Sequence, residues 1–161
     1  AEQMTIDAGM DRDACRAIVL ARAGWHGGVI GIVASRLVDR FCRPAVLIAL
    51  ENGQGQGSGR SIRSFAICDA LWACRQHLQS FGGHAMAAGL KIDPARVQPF
   101  SEAFLRHANQ MLTGKDLLPT LRLDGVAALG ELSLPTAELL ERLGPFGVGN
   151  PRPRFATDWT R

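Results

Sequence analysis

The sequence is poor in the features that mark membrane proteins, secreted proteins and small metal-binding proteins. It shows no signal-peptide pattern and no apolar run of about 18 residues. The spacings of its cysteines fit no zinc motif and no redox pair; they are Cys15, Cys42, Cys68 and Cys74. We interpret all four as small, reduced core residues, which predicts a cytoplasmic protein with no membrane contact.

The chain also carries little excess of one sign of charge over the other. The formal net charge is only +3, so a nucleic-acid partner cannot be predicted from charge alone. Lysine is nearly missing, since sixteen of the eighteen basic residues are arginine. Arginine offers a planar fork that suits phosphate, although a compositional bias of the source genome explains most of the sixteen equally well. With 47% hydrophobic residues the chain can bury a sizeable core.

Apolar runs alternate with helical patterns along most of the chain. Short apolar runs at 17–21 and 44–50 predict buried strands, and a further strand is predicted at LKI, 90–92. Amphipathic spacing predicts helices at 29–41, at 69–78, from 94 or 99 to 111, and at 135–143. This alternation indicates an α/β domain, with a mixed sheet flanked by helices.

Two finer expectations concern the helix that ends near residue 111 and the segment after it. The buried stripe of this helix is predicted at Phe100, Phe104, Ala108 and Met111, with His107 on the surface. One or two strands are predicted within 120–129, and a last strand near Phe155.

Three glycine-rich segments are the candidates for function: GWHGG at 24–28, GSGRS at 57–61 and FGGHAMAAG at 81–89. Glycine lets the backbone approach a ligand closely, and arginine, serine, histidine and free N–H groups can all donate to a phosphate. The first segment precedes a predicted helix, whose N-terminus is a ready anion site. We predict that all three segments are loops or turns that cradle a phosphate.

Each segment also has a purely structural explanation. GWHGG can be a turn in which Trp25 fills the core, GSGRS a hairpin with a surface arginine, and GGH a glycine turn before a buried histidine. The occurrence of all three within about 65 residues favours an anion site over these explanations.

The same segments carry a family resemblance. GWHGGVIGIVASRL, GSGRS and FGGHAMAAG, in this order, resemble the DHH-associated domain that follows the catalytic domain of DHH phosphoesterases, over roughly residues 17–112. LGPFGVGNPRPRF, 143–155, resembles the segment that opens the oligonucleotide-binding barrel of the RecJ family of exonucleases. The resemblance implies a 5′-to-3′ exonuclease for single-stranded DNA that acts in repair and recombination.

The resemblance also implies how the chain is divided. Residues 1–16 would be a helix tail or linker from a preceding domain, 17–113 the DHH-associated α/β domain, and 114–161 the truncated start of a nucleic-acid-binding barrel. Because the chain opens on Ala1 and stops at Arg161 just after a predicted strand, we expect it to be part of a longer protein.

By this resemblance the substrate's terminal phosphate would be gripped by Ser58, Gly59, Arg60 and Ser61. Gly82, Gly83 and His84 would contact the phosphate or nucleotide nearest the catalytic metals. Additional candidates are Trp25, His26 and Gly27, although core packing is the preferred role for Trp25 and also for Phe81.

The family's catalytic metals, Mn²⁺ or Mg²⁺, are held by aspartates and histidines of the preceding DHH domain. This chain has no Asp-His-His motif. We therefore expect it to bind single-stranded DNA and its own DHH domain, to bind no metal, and to be inactive when isolated.

Other functions remain open on the sequence alone. Related DHH phosphoesterases act on short oligonucleotides or cyclic dinucleotides and share GGH and AAG, although the 143–155 segment favours the RecJ type. A non-catalytic module that binds a single strand or serves as a scaffold is a second alternative, and a ligand-free structural domain is a third.

Overall fold

The computed structural model describes residues 1–158, in which the chain forms two compact units that divide between Pro119 and Thr120. The helices of the first unit are α1 (Glu2–Asp7), α2 (Ile30–Phe41), α3 (Ile67–Ala73) and α4 (Val97–Met111). Its strands are β1 (Ile18–Ala23), β2 (Ala45–Glu51), β3 (Gln54–Arg60), β4 (Ser80–Gly83) and β5 (Ala87–Ile92).

The five strands form one sheet in the order β1-β2-β3-β5-β4. β1 and β2 are parallel because α2 connects them, whereas every other neighbouring pair is antiparallel. The prediction of an α/β fold with a mixed sheet flanked by helices is thus confirmed. In the described residues, no helix is both long enough and apolar enough to cross a membrane.

Each face of the sheet carries its own apolar cluster. On one face, Ile30, Ala34 and Leu37 of α2 pack on alternate residues of β1 and β2. On the other face, α3 and α4 cover the remaining strand residues, with Phe100 and Phe104 fully buried. The spacing of three to four residues along each helix explains why one stripe is buried and the rest is solvated.

The second glycine-rich segment is not the loop that its sequence predicts. GSGR is the end of strand β3, because the glycines of this strand leave room for apolar side chains from neighbouring elements. A Cβ added at Gly57 would lie 2.6 Å from Leu90, and one at Gly59 would lie 2.5 Å from Ile67. Likewise, Gly82 and Gly83 belong to β4, and the turn begins only at His84.

Other sequence predictions need smaller corrections. Met111 is 63% exposed, and its predicted place at the end of the α4 stripe is taken by the buried Leu112. His107 is half-buried rather than on the surface, because its ring packs edge-on against Phe65 at 6.0 Å. The predicted helix at 69–78 ends as an α-helix at Ala73 and continues as one 3₁₀ turn, Arg75–His77.

From Thr120 to Asp158 the second unit contains α5 (Leu134–Glu141) and two short parallel strands, β6 (Gly125–Val126) and β7 (Phe155–Ala156). Ser133 caps α5 by accepting a hydrogen bond from the Thr136 N–H. None of the described side chains in this unit is buried. These described elements do not form a closed barrel, and the expectation that 114–161 begins an oligonucleotide-binding barrel stays a prediction.

Thr113 and Asp116 form a capping box at the 3₁₀ turn Gly114–Leu117, near the end of the first unit. Asp116 accepts hydrogen bonds from the Thr113 hydroxyl at 2.6 Å and the Thr113 N–H at 2.8 Å. These two hydrogen bonds hold the pKa of the Asp116 carboxyl below its usual range. The bond from the Thr113 hydroxyl has the larger effect, and the bond from the Thr113 N–H has the smaller one. A lowered pKa in the folded state means that this contact adds stability at neutral pH, and that the gain is lost as pH falls through that pKa.

We therefore expect Asp116→Asn to lower the Tm slightly at neutral pH and to have no effect in acid, where the wild-type carboxyl is protonated. Thermal unfolding followed across pH tests this. Asp39→Asn, at an exposed position on α2, is the control that should leave the Tm unchanged. A Tm difference for Asp116→Asn that persists in acid would contradict the assignment.

Candidate functional site

Ser58 and Arg60 point to the same face of the sheet because they alternate along β3 with glycines that face the α3–α4 core. The Arg60 guanidinium donates to the Ser58 hydroxyl at 3.0 Å and to the Gly59 carbonyl at 2.8 Å. Both side chains are half-buried. The strand therefore holds the guanidinium folded back beside the hydroxyl.

The first turn of α2 lies directly against this pair. A Cβ added at Gly31 would be 2.9 Å from the Arg60 guanidinium and 3.0 Å from the Ser58 hydroxyl. Val29, the N-cap residue, makes no side-chain capping hydrogen bond. A guanidinium, a hydroxyl and the positive end of a helix dipole thus meet at one point, which is a set of donors suited to an anion.

Gly31 belongs to this arrangement, and the sequence reasoning missed it. The available signal was a glycine in the first turn of a predicted helix, where it lowers helix propensity. The structure supplies the reason, since any side chain at this position would meet Arg60 and Ser58.

In the loop before α2, the His26 side chain is exposed to solvent and the Trp25 side chain is partly buried. His26 is exposed, and its Nδ1 accepts a hydrogen bond from the Gly28 N–H at 3.1 Å. Trp25 is half-buried and packs against the α2-side cluster. Gly27 lies close to the side chain of Gln56 on β3, since an added Cβ would be 2.9 Å from its Oε1.

The two glycines of GGH have different environments. Gly83 has φ +149°, and an added Cβ would lie 2.3 Å from the Ala87 carbonyl oxygen, so only glycine fits this position without strain. At Gly82, by contrast, an added Cβ would have nothing within 4 Å. The N–H of His84 donates to the Ala87 carbonyl at 2.7 Å, which closes a tight turn, and the His84 side chain is exposed.

Strand pairing brings GSGR and GGH to one end of the sheet. Arg60 pairs with Ala87, the residue whose carbonyl accepts from His84. Ser58 pairs with Gly89, which in turn pairs with Gly82. With β5 as the single intervening strand, β3 and β4 lie about 10 Å apart.

Two of the candidate residues do not join this arrangement through their side chains. Ser61 is buried, and its hydroxyl donates to the Phe65 carbonyl at 2.6 Å. Gly59 turns toward the core under Ile67. Gly59 contributes through its backbone, since its carbonyl accepts a hydrogen bond from Arg60 at 2.8 Å.

Arg60 is not neutralised by a carboxylate in the described residues. The ion pairs there join Arg40 to Glu2 and Arg152 to Glu141. A half-buried guanidinium without an anionic partner favours the binding of an external anion. In the same described part of the chain, no cluster of three or more His, Cys, Asp or Glu side chains is placed to hold a metal.

Comparison with known proteins finds one family model, described as the DHHA1 domain, that matches residues 14–110. The chain is 40% identical over 158 residues to the single-stranded-DNA-specific exonuclease RecJ of Bacillus subtilis, which covers 97% of this chain and 20% of that protein. It is 35% identical over 145 residues to the RecJ of Thermus thermophilus, which covers 87% of this chain and 20% of the relative. The chain thus spans about a fifth of the length of these relatives.

A solved structure shows the same likeness in three dimensions. The crystal structure of RecJ from Thermus thermophilus in complex with Mn²⁺ superposes with a TM-score of 0.79 at 32% sequence identity. The match covers 97% of this chain and 23% of that one.

Proposed function

The chain belongs to the DHHA1 domain family, and we propose that it is the strand-gripping domain of a 5′-to-3′ exonuclease specific for single-stranded DNA. The names of its RecJ relatives support the substrate class. The parent protein would act in the cytoplasm, in repair and recombination. This chain would supply one wall of the cleft, and a preceding DHH domain the other.

The observation that carries the proposal is the meeting of Arg60, Ser58 and the start of α2 at Gly31. A terminal 5′ phosphate exposes more oxygens and carries more charge than an internal phosphodiester. A fork of guanidinium N–H groups beside a hydroxyl and free helix N–H groups can bind several of these oxygens at once. The site would thereby select the end of a strand over its interior.

His84, on the same wall of the cleft, would contact the phosphate or nucleotide nearest the catalytic metals. Two features fix the position of His84 just after β4. Its N–H donates to the Ala87 carbonyl, and Gly83 before it has a positive φ of +149°. Its exposed side chain is free to donate to a phosphate oxygen. His26, at the start of the α2 loop, is a further candidate donor of the same kind.

Metal chemistry would come from elsewhere in the parent. The described residues offer no cluster of acidic and histidine side chains, so their donor set does not fit a catalytic metal. The RecJ neighbours are crystallised with Mn²⁺ or Mg²⁺, and we propose that the parent uses one of these ions, held by its DHH domain. The role of this chain would be to bind and orient the strand end.

We expect His84→Ala in the parent protein to reduce kcat/KM on 5′-phosphorylated single strands by about 10- to 100-fold, since one hydrogen bond to a charged group is worth roughly 1.5–3 kcal/mol. Exonuclease assays on long single strands measure this. His77→Ala, at the 3₁₀ turn after α3, is the matched control. Equal activity of His84→Ala and wild type would remove His84 from the site.

The substrate class is tested by comparing substrates. The parent should degrade long 5′-phosphorylated single strands much faster than cyclic or linear dinucleotides. The isolated chain should bind single strands weakly, with an affinity that falls as salt rises, and cleave none. Faster cleavage of dinucleotides than of long strands by the parent would favour the small-substrate phosphoesterases instead.

A further inference from the structure

The segment that leads into β1, residues 12–16, is held against α4 by one asparagine. We call these residues the entry segment. The Asn109 side chain accepts a hydrogen bond from the Arg16 N–H at 2.9 Å and donates to the Ala14 carbonyl at 3.0 Å. In return, the Arg16 guanidinium donates to the Asn109 carbonyl at 2.8 Å. Because the Asn109 amide satisfies both a donor and an acceptor of the backbone, it fixes the path of the entry segment.

A buried arginine holds the entry segment from the α2 side. Arg43 is 7% exposed, and its guanidinium donates to the carbonyls of Cys15 at 2.8 Å and Arg12 at 3.2 Å. It also donates to the Phe41 carbonyl at 2.7 Å, at the end of α2. Arg43 forms no ion pair with a carboxylate in the described part of the chain. A buried charge is costly unless hydrogen bonds compensate for it, so the carbonyls of the entry segment explain why an arginine stands here.

The entry segment reaches the sheet at the end that carries the Arg60 site. Ile18, the first residue of β1, pairs with Ala45 of β2, and Ala45 pairs with Arg60 of β3. These three residues form one cross-strand row, in which two strand spacings separate β1 from β3 by about 10 Å. The path of the chain before β1 is therefore fixed close to the candidate phosphate site.

The short helix α1 precedes the entry segment in the chain. Met4 packs against the α2-side cluster and Thr5 is fully buried, but a helix of six residues is not stable by itself. The exposed ion pair of Glu2 with Arg40 adds little. The position of α1, and of anything attached before it, therefore depends on how the entry segment is held.

We propose that Asn109 and Arg43 are positioning residues for the exonuclease reaction. By holding the entry segment at the Arg60 end of the sheet, they set the preceding catalytic domain opposite the gripped 5′ phosphate. Both act through the backbone of residues 12–16 rather than on the substrate. The proposal rests on the proposed function, because it takes a catalytic domain to precede this chain.

The first measurement is amide hydrogen exchange in the 161-residue chain. The Cys15 N–H donates to the Arg12 carbonyl at 2.9 Å, so this amide reports on the entry segment without bonding to Asn109 itself. Asn109→Ala should speed its exchange about tenfold, since the segment loses hydrogen bonds of ordinary strength. Gln110→Ala, at the exposed neighbouring position on α4, is the matched control and should leave the exchange unchanged.

The second measurement is the kinetics of the parent protein on a 5′-phosphorylated oligothymidylate. Asn109→Ala should lower kcat about tenfold and leave KM nearly unchanged, because the strand is still gripped at Arg60 but is misplaced relative to the catalytic groups. Arg43→Lys keeps the charge but loses the planar fork, so it should divide its effect between kcat and KM in the same way. In the 161-residue chain, both variants should bind the phosphorylated strand as tightly as wild type.

The outcomes separate this role from the proposed function. If exchange is faster in Asn109→Ala but kcat is unchanged, the entry segment is held for stability alone, and the positioning role is wrong. Unchanged exchange would also overturn it, because Asn109 would then not hold the segment. If kcat and the affinity of the 161-residue chain for the phosphorylated strand fall together, the substitution has distorted the Arg60 site instead. Equal binding of 5′-phosphorylated and 5′-hydroxyl strands by wild type would contradict the phosphate site, whereas the exchange and kcat measurements would still decide the positioning role.

Discussion

Arg60→Ala in the parent protein is expected to lower kcat/KM on 5′-phosphorylated single strands by roughly 100-fold, because removing one partner of a desolvated, hydrogen-bonded charge pair costs about 2–5 kcal/mol. The lower part of that range applies, since Arg60 is half-buried rather than fully enclosed. The fold should be unaffected. Arg60 bonds only to Ser58 and to the adjacent Gly59 carbonyl among the described hydrogen bonds.

Two further arginine variants sharpen this prediction. Arg63→Ala removes an exposed arginine three positions along the same segment and should leave activity near that of wild type. Arg60→Lys keeps the charge but loses the planar fork, so its activity should lie between those of wild type and Arg60→Ala. If Arg63→Ala and Arg60→Ala lose activity equally, the effect is one of general charge, and the specific site is wrong.

Gly83→Ala is expected to lower the free energy of unfolding by about 2–4 kcal/mol, because it combines a disfavoured backbone conformation with overpacking. The added methyl would lie 2.3 Å from the Ala87 carbonyl oxygen and 2.5 Å from the Ala88 Cα, and both are backbone atoms that cannot swing away. Relief of this clash would open the hydrogen bond from His84 to Ala87 and displace His84. Urea denaturation measures the change in stability.

The neighbouring glycine is the control for this effect. At Gly82 an added methyl has nothing within 4 Å, so Gly82→Ala should leave stability unchanged or slightly raised. Equal destabilisation by both variants would mean that the two glycines serve the same structural purpose, contrary to the geometry of the turn.

The elements that the sequence predicted well are those in which periodicity and burial agree. The helix at α2 and the strands β1 and β2 follow from apolar spacing alone, because each buries one stripe or both faces. The mixed character of the sheet could be inferred only in outline. Which strands pair depends on contacts such as Arg60 with Ala87, which lie far apart in sequence.

Glycines led to two different errors in the sequence predictions: one glycine-rich strand was predicted as a loop, and one glycine of the candidate site was overlooked. GSGRS was predicted as a loop because glycine usually marks turns, whereas Gly57 and Gly59 are there to accommodate Leu90 and Ile67. Gly31 was overlooked because a helix can tolerate one glycine, and its neighbour Arg60 comes from another strand. In each case the deciding partner is a tertiary contact that local pattern cannot contain.

The candidate site residues show the same difference between local pattern and tertiary contact. Residue chemistry alone pointed to Ser58, Arg60 and His84, and strand pairing places their segments at one end of the sheet. Ser61 was grouped with them by adjacency, yet alternation along the strand turns its hydroxyl toward Phe65. Sequence proximity therefore grouped Ser61 with Arg60, although the two side chains have different partners.

The most direct test of the phosphate site compares one oligothymidylate with a 5′ phosphate and with a 5′ hydroxyl, binding to the wild-type chain and to Arg60→Ala at low salt. We predict that wild type binds the phosphorylated strand at least about tenfold more tightly, and that Arg60→Ala binds both strands equally and weakly. A preference for the 5′ phosphate that survives in Arg60→Ala, or its absence in wild type, would contradict the account.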